Sequence, residues 1–182
     1  MQKIETIFDR AENFRVMSKI RVGTEWVFAR EGIATEKIDG TNIRITVVAG
    51  KIAKVEKRSN PTREEKALGR EPGYIDAHES DPSDKHIFRA VNGTDASKLV
   101  DGVYPCEAIG PKIQGNPLQL SNPTCYLFTV SPVVIADVPR TFEGLQEFFK
   151  NFDSRYSPGH RAEGIVFHHP DGRMAKIKVK DF

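Results

Sequence analysis

Cysteine is scarce in this chain, long apolar runs are missing, and neither sign of charge prevails. Cys106 and Cys125 are too few for a disulfide scaffold, and they form no CxxC metal pair. They read as buried thiols in a reducing compartment. No stretch approaches the roughly 18–20 apolar residues that a membrane span needs. The longest are short, such as Val133-Val134-Ile135-Ala136. The N-terminus, MQKIETIFDR, lacks the basic-then-apolar pattern of an export signal, so an intracellular setting, cytoplasm or nucleoid, is expected. Basic residues number 27 and acidic residues 25, for a net charge of +2. That balance neither demands nor excludes a nucleic acid, because a basic stripe can sit inside a neutral total. There is no internal repeat and no low-complexity tract. The histidines show no zinc spacing beyond the adjacent pair His168-His169, which would face opposite ways on a strand.

What is present is an ordinary globular composition: 182 residues, 38% hydrophobic and 29% charged. That length suits one domain. Alternating residues predict a hairpin, with strands over 42–48 and 51–57 about an Ala49-Gly50 turn. Short strands are expected over 25–29, 34–38, 103–109 and 126–130. Residues 59–85 hold three prolines, two glycines and many charges, and read as a loop that is either mobile or grips substrate. A short helix is expected over 86–91. From Thr141, a capping residue, Phe142, Leu145, Phe148, Phe149 and Phe152 recur every three or four residues, the core face of an amphipathic helix. Two strands, 164–168 and 174–179, close the chain around Pro170-Asp171-Gly172. The class is therefore α+β, with mainly antiparallel sheets flanked by a few helices.

Chemistry concentrates at two places. The first is Glu36-Lys37-Ile38-Asp39-Gly40-Thr41-Asn42, a lysine at a strand end followed by a tight Asp-Gly turn. The second is Glu163-Gly164-Ile165-Val166, followed by Lys176-Ile177-Lys178-Val179-Lys180. On a strand the three lysines share one face, a costly arrangement unless solvent or an anion meets them. A lysine-protected edge strand is the bland alternative; a polyphosphate suits the stripe better.

Together these motifs resemble the covalent nucleotidyltransferase superfamily, and in particular its small single-domain ATP-dependent RNA ligase branch. EKIDGTN looks like the nucleophile motif, Cys106-Glu107-Ala108-Ile109-Gly110 like the third, Tyr126-Leu127-Phe128 like the aromatic motif, Glu163-Gly164 like the fourth and Lys176-Ile177-Lys178 like the fifth. Arg58 matches the basic residue of the second strand, with Arg63 as an alternative, and Lys178 with Lys180 is an alternative frame for the last motif. GPKIQGNP and DGRMAKIK also resemble this branch, and TEKIDGTN favours it over the KxDGxR pattern of DNA ligases and capping enzymes.

The resemblance implies an ATP-grasp-like nucleotidyltransferase fold occupying residues 1–182 with no separate C-terminal domain. It implies ATP as AMP donor and Mg²⁺ or Mn²⁺ as the metal. Lys37 would attack the α-phosphate to give a lysyl-AMP intermediate. ATP binding would fall to Glu36, Arg58, Glu107, Phe128, Lys176 and Lys178, with Glu107 on a ribose hydroxyl and Phe128 stacked on adenine. Glu163 would serve the metal, and Asn42 the RNA-dependent steps. Only about one free lysine in a thousand is neutral near pH 7, so cations beside Lys37 are expected to favour proton loss by repulsion. The partners implied are RNA 5′-phosphate and 3′-hydroxyl ends, as in RNA repair, with no membrane; a monomer is the expectation. Residues 59–85 and Arg15, Lys19 and Arg21 are candidates to grip RNA by elimination. A DNA nick-sealing or capping enzyme and a non-catalytic nucleotide-binding or RNA-binding module are the competing readings.

Overall fold

The computed structural model describes residues 4–182. In chain order the elements are β1 (Glu5–Thr6), β2 (Phe8–Arg10), β3 (Val16–Ile20), α1 (Glu25–Phe28), β4 (Ile33–Lys37), β5 (Thr41–Val48), β6 (Lys51–Ser59), α2 (Arg63–Ala67), β7 (Gly73–Asp76), α3 (Lys85–Asn92), β8 (Gly102–Ile109), β9 (Thr124–Leu127), α4 (Phe142–Lys150), β10 (Gly164–His168) and β11 (Met174–Lys178). A 3₁₀ turn, Val179–Asp181, follows. The class is α+β with mostly antiparallel pairing, as the alternation predicts.

The contacts divide the described chain into two units. The first holds residues 39–131 and the second residues 4–38 with 132–182. The first unit is built on a five-stranded antiparallel sheet in the order β7-β6-β5-β8-β9. Ile43, Ile45 and Val47 point to one face of β5 and are fully buried. With Val55, Cys106, Ala108 and Cys125, and with Ile87, Ala90 and Val91 of α3, they form the core of this unit. Their polar neighbours Asn42, Arg44 and Thr46 necessarily take the other face. Both cysteines are free and buried.

The second unit is built on a four-stranded sheet in the order β1-β11-β10-β4. β1 runs parallel to β11, while β10 is antiparallel to both β11 and β4. Ile165, Phe167, Ala175 and Ile177 line its core face, together with Leu145, Phe149 and Phe152. α4 begins as its sequence predicts: Thr141 Oγ accepts a hydrogen bond from the Gly144 N–H at 3.1 Å.

Three expectations need correction. Residues 25–29 form the turn of α1, not a strand, because Trp26, Val27 and Phe28 are consecutive apolar residues. A helical turn sends Trp26 and Val27 into the core with Phe28 packed beside them, whereas a strand would send Val27 away from the other two. Residues 59–85 are not a bare loop. Thr62 and Glu65 form a reciprocal capping box that starts α2, and β7 adds an edge strand to β6. Asp84, 1% exposed, fixes the far end by accepting from Lys57 Nζ at 2.5 Å and from the His78 N–H at 3.0 Å. Finally, β11 stops at Lys178, so Lys180 lies in the 3₁₀ turn and leaves the stripe.

The aromatic strand is also shifted: β9 covers 124–127, and Phe128 extends the ladder by one bond, its N–H donating to Pro105 O at 3.4 Å. The short N-terminal strands β1, β2 and β3 carry no clear periodicity and escape a sequence reading.

Candidate active site

Strands β4 and β5 belong to different sheets, so the Asp-Gly turn carries the chain from one sheet to the next and does not close a hairpin. Gly40 is there because nothing larger fits: a Cβ would lie 2.3 Å from the Ala108 carbonyl oxygen. Each sheet then presents its own group of the residues singled out above.

In the second unit, register places Lys37 of β4, Gly164 of β10 and Lys178 of β11 in one row across three strands. The next row on the same face is Thr35, Val166 and Lys176. Gly164 has no side chain, and a Cβ there would sit 2.2 Å from Ile177 O. The glycine therefore lets the neighbouring strand approach closely, and the lysines on either side of it need a counter-charge. Glu163 fills that need for charge. Its Oε2 accepts from Lys37 Nζ at 2.6 Å, and its Oε1 pairs with Lys178 Nζ. All three side chains are largely shielded, at 20% (Lys37), 12% (Glu163) and 21% (Lys178) exposure. The nearest partner of the candidate nucleophile is thus a carboxylate, with cations behind it. The sequence suggests cations alone.

Glu36 sits on the opposite face of β4 from Lys37 and is 3% exposed. Its carboxylate accepts from Ser154 Oγ at 2.5 Å, from the Arg155 N–H at 2.7 Å and from the Tyr156 N–H at 3.1 Å. It clamps the turn after α4. The Glu36 N–H donates to Val133 O at 2.8 Å.

Lys178 is held from behind. Asp181 accepts from the Lys178 N–H at 2.9 Å and from Arg10 Nη2 at 2.7 Å. The basic N-terminal residues are engaged within this unit as well. Arg15 donates to Lys180 O at 3.2 Å, Lys19 pairs with Asp9 at 2.9 Å, and Arg21 pairs with Glu5 at 2.9 Å.

In the first unit, pairing puts Asn42 opposite Glu107, and Glu107 opposite Tyr126. Arg58 pairs with Tyr74, and Glu56 with Arg44. Asn42, Arg44, Glu56, Arg58, Tyr74, Glu107 and Tyr126 therefore share the face turned away from the core. Phe128, two residues beyond Tyr126, is half-buried and outside the apolar cluster; its ring meets Tyr126 edge-on at 5.9 Å. Arg63 is exposed on α2. Asn42 Nδ2 donates to Glu107 Oε2 at 3.2 Å.

Arg44 makes a bidentate pair with Glu56, at 2.6 and 2.8 Å, and Lys54 adds a contact at 3.3 Å. The Arg44 guanidinium, then Lys54, holds the Glu56 carboxyl down at about 2. Arg44 is itself raised, chiefly by the Glu56 hydrogen bond. Sequence reasoning misses Tyr74, whose hydroxyl donates to Asn42 Oδ1 at 2.7 Å. It lies in the proline-rich segment, and only the Gly73-Tyr74-Ile75-Asp76 alternation could have flagged it. Burial pushes the Tyr74 hydroxyl up.

Among the described residues no group of three His, Cys, Asp or Glu side chains is close enough to cage a metal ion, and no helix is long and apolar enough to cross a membrane.

Against known proteins, no family model and no curated sequence matches the chain. Solved structures do. An apo variant of RNA ligase R4a from Naegleria gruberi matches at 14% identity with a TM-score of 0.52, covering 98% of this chain and 61% of that one. A variant of Naegleria gruberi RNA ligase with ATP and Mn matches at 16% identity and TM-score 0.53, over 100% of this chain and 64% of that one. A further apo variant matches at 15% identity and TM-score 0.53. The chain spans about three fifths of the length of these ligase chains. The fold is an RNA-ligase-like nucleotidyltransferase fold.

Proposed function

We propose that the protein is an ATP-dependent RNA ligase that works through a lysyl-AMP intermediate. The observation that carries this reading is the row Lys37, Gly164, Lys178 with Glu163 joined to both lysines. Two half-buried lysines meet on this one carboxylate. A second cation beside a half-buried amine suits a triphosphate. The fold shared with RNA ligases, one of them solved with ATP and Mn, supports the same reading.

In the proposed first step Lys37 gives its ammonium proton to water and leaves Glu163. Its Nζ lone pair then attacks the α-phosphorus as the bond to the pyrophosphate oxygen breaks. The N–P bond formed retains AMP, and the second N–H proton departs with the products. Lys178 and Lys176 neutralise charge on the phosphates as pyrophosphate leaves. AMP then passes to an RNA 5′-phosphate, and a 3′-hydroxyl displaces it to seal the strand.

On the sheet of the first unit, Glu107 accepts from a ribose hydroxyl, Phe128 offers an adenine stack, Arg58 meets phosphate or ribose, and Asn42 acts in the RNA-dependent steps. The side chain of Glu36 is given to a clamp, which leaves its contribution to ATP to the positioning of Lys37. The donor set fits a Mg²⁺ or Mn²⁺ that keeps most of its waters and is shared with substrate phosphates, because such an ion needs only one or two carboxylates. Glu163 is the residue that would hold it, and the ion would supply positive charge to the phosphates.

The test compares labelled ATP, GTP and NAD for transfer to the protein, followed by RNA and DNA strands with 5′-phosphate and 3′-hydroxyl ends. ATP transfer and RNA joining are expected. Transfer from GTP, or joining confined to DNA, would overturn the assignment.

A further inference from the structure

Tyr74 closes a line of side chains that crosses the functional face of the five-stranded sheet. Glu56 grips Arg44 with two bonds, at 2.6 and 2.8 Å. Arg44 covers the Tyr74 ring, 4.5 Å from its centroid. The Tyr74 hydroxyl donates to Asn42 Oδ1 at 2.7 Å, and Asn42 Nδ2 donates to Glu107 Oε2 at 3.2 Å. These groups come from β6, β5, β7, β5 and β8 in turn, so Tyr74 reaches over β6 from the edge of the sheet.

The orientation of the Asn42 amide is the sensitive point. A carboxylate only accepts hydrogen bonds, so Glu107 needs the NH₂ end of the amide. A flipped amide would set Oδ1 against Glu107, two acceptors face to face. Glu107 sets which way the amide faces; the Tyr74 hydroxyl, donating to Oδ1 on the far side, tethers the amide in that orientation.

We propose that Tyr74 is a positioning residue for nucleotide recognition, fixing the Asn42 amide so that Glu107 is held for the ribose. The 59–85 segment then acts on ribose selectivity through β7, without touching the nucleotide. This rests on the reading of Glu107 as the ribose acceptor in an adenylylating enzyme.

The test is Tyr74→Phe, which removes the hydroxyl and keeps the ring beneath Arg44. Enzyme–AMP formation is followed with ATP, 2′-deoxyATP and 3′-deoxyATP. The variant should lose about 3- to 10-fold in kcat/KM for ATP, mostly in KM, the size of one lost hydrogen bond. It should lose less for the analogue lacking the hydroxyl that Glu107 accepts, so discrimination shrinks. A merely structural role would lower all three equally, and equal losses or none would overturn the proposal.

A second measurement separates this failure from failure of the ligase reading. The Asn42 side-chain amide signals in a ¹⁵N–¹H spectrum are assigned by their loss in Asn42→Asp. They should move in Tyr74→Phe whether or not the protein accepts AMP; unmoved signals would overturn the proposal even if the wild type forms no enzyme–AMP.

Discussion

Each sheet places one carboxylate between two cations, yet the two arrangements are built for different ends. In the five-stranded sheet Glu56 sits between Arg44 and Lys54, and Lys54 also meets Asp76 at 2.8 Å. Two cations face two carboxylates, the arginine is bidentate, and Lys54 is 49% exposed. Charge closes on itself there, and the cluster serves as scaffold for Tyr74 and Asn42. In the four-stranded sheet Glu163 sits between Lys37 and Lys178, with Lys176 one row away on the same face. Two lysines share one carboxylate there, and the residue between them in the row is a glycine. The first cluster is balanced within itself, whereas in the reading proposed above the second is where phosphates would bind. Neither pattern can be read from the count of charges alone, since the whole chain is nearly neutral.

Charge removal should break the comparison most sharply in the four-stranded sheet. Glu163→Gln keeps the shape but removes the carboxylate that orients Lys37 and Lys178 and that, in the proposed reading, would hold the metal. Enzyme–AMP formation is expected to fall by about 10²-fold or more, read by labelled-ATP transfer, whereas Glu56→Gln should cost no more than about 10-fold through its effect on Arg44. A larger loss for Glu56→Gln would reverse the roles assigned to the two carboxylates.

Next in size is Gly164→Ala. The added Cβ would have to move Ile177 O and Lys178 Cα, which lie 2.2 and 2.7 Å from it. Overpacking of this kind costs about 1–3 kcal/mol, and thermal unfolding should show it. Gly40→Ala should show a comparable cost in the first unit, where Ala108 O blocks the site.

Glu36→Ala follows. It strands a hydroxyl and two backbone N–H groups, at about 1–3 kcal/mol for unsatisfied buried groups. The expected outcome is a lower Tm with KM for ATP within about threefold of wild type. A normal Tm with a large KM change would make Glu36 a direct nucleotide contact.

The smallest effect is in pH dependence. Glu56 has a folded value near 2, below its ordinary 4.5. A depressed carboxylate stabilises the fold at pH above the ordinary value and loses that contribution as pH falls toward the folded one. Acid unfolding of Glu56→Gln should therefore lack part of the stability loss that wild type shows between about pH 4.5 and 2.

Much of this was legible in the sequence where periodicity is local. Alternation in Asn42–Val48, the short apolar run of Gly164–His168 ahead of the Pro170-Asp171-Gly172 turn, and the three-to-four spacing from Phe142 each give their element, because each is packed against apolar neighbours. The motif residues are legible as types, and the lysine row follows once β4, β10 and β11 are paired. Pairing itself is not local: nothing near Lys37 in sequence says that Glu163 will be its partner. Glu36 was legible as part of a motif but not as a clamp, because Ser154 and Tyr156 lie far along the chain. Tyr74 was hidden by its surroundings. Three prolines make residues 59–85 look irregular and mask the capping box at Thr62–Glu65, although its spacing is local. The fate of Arg15, Lys19 and Arg21 depends on tertiary partners that no motif announces.

The claim on which the rest depends is that the Lys37 amine takes up AMP. Intact-mass measurement after incubation with ATP and Mg²⁺ tests it directly. The account predicts a gain of one AMP that is lost on acid treatment and never appears in Lys37→Ala. A wild-type mass that does not change, or an adduct that survives in Lys37→Ala, would contradict it.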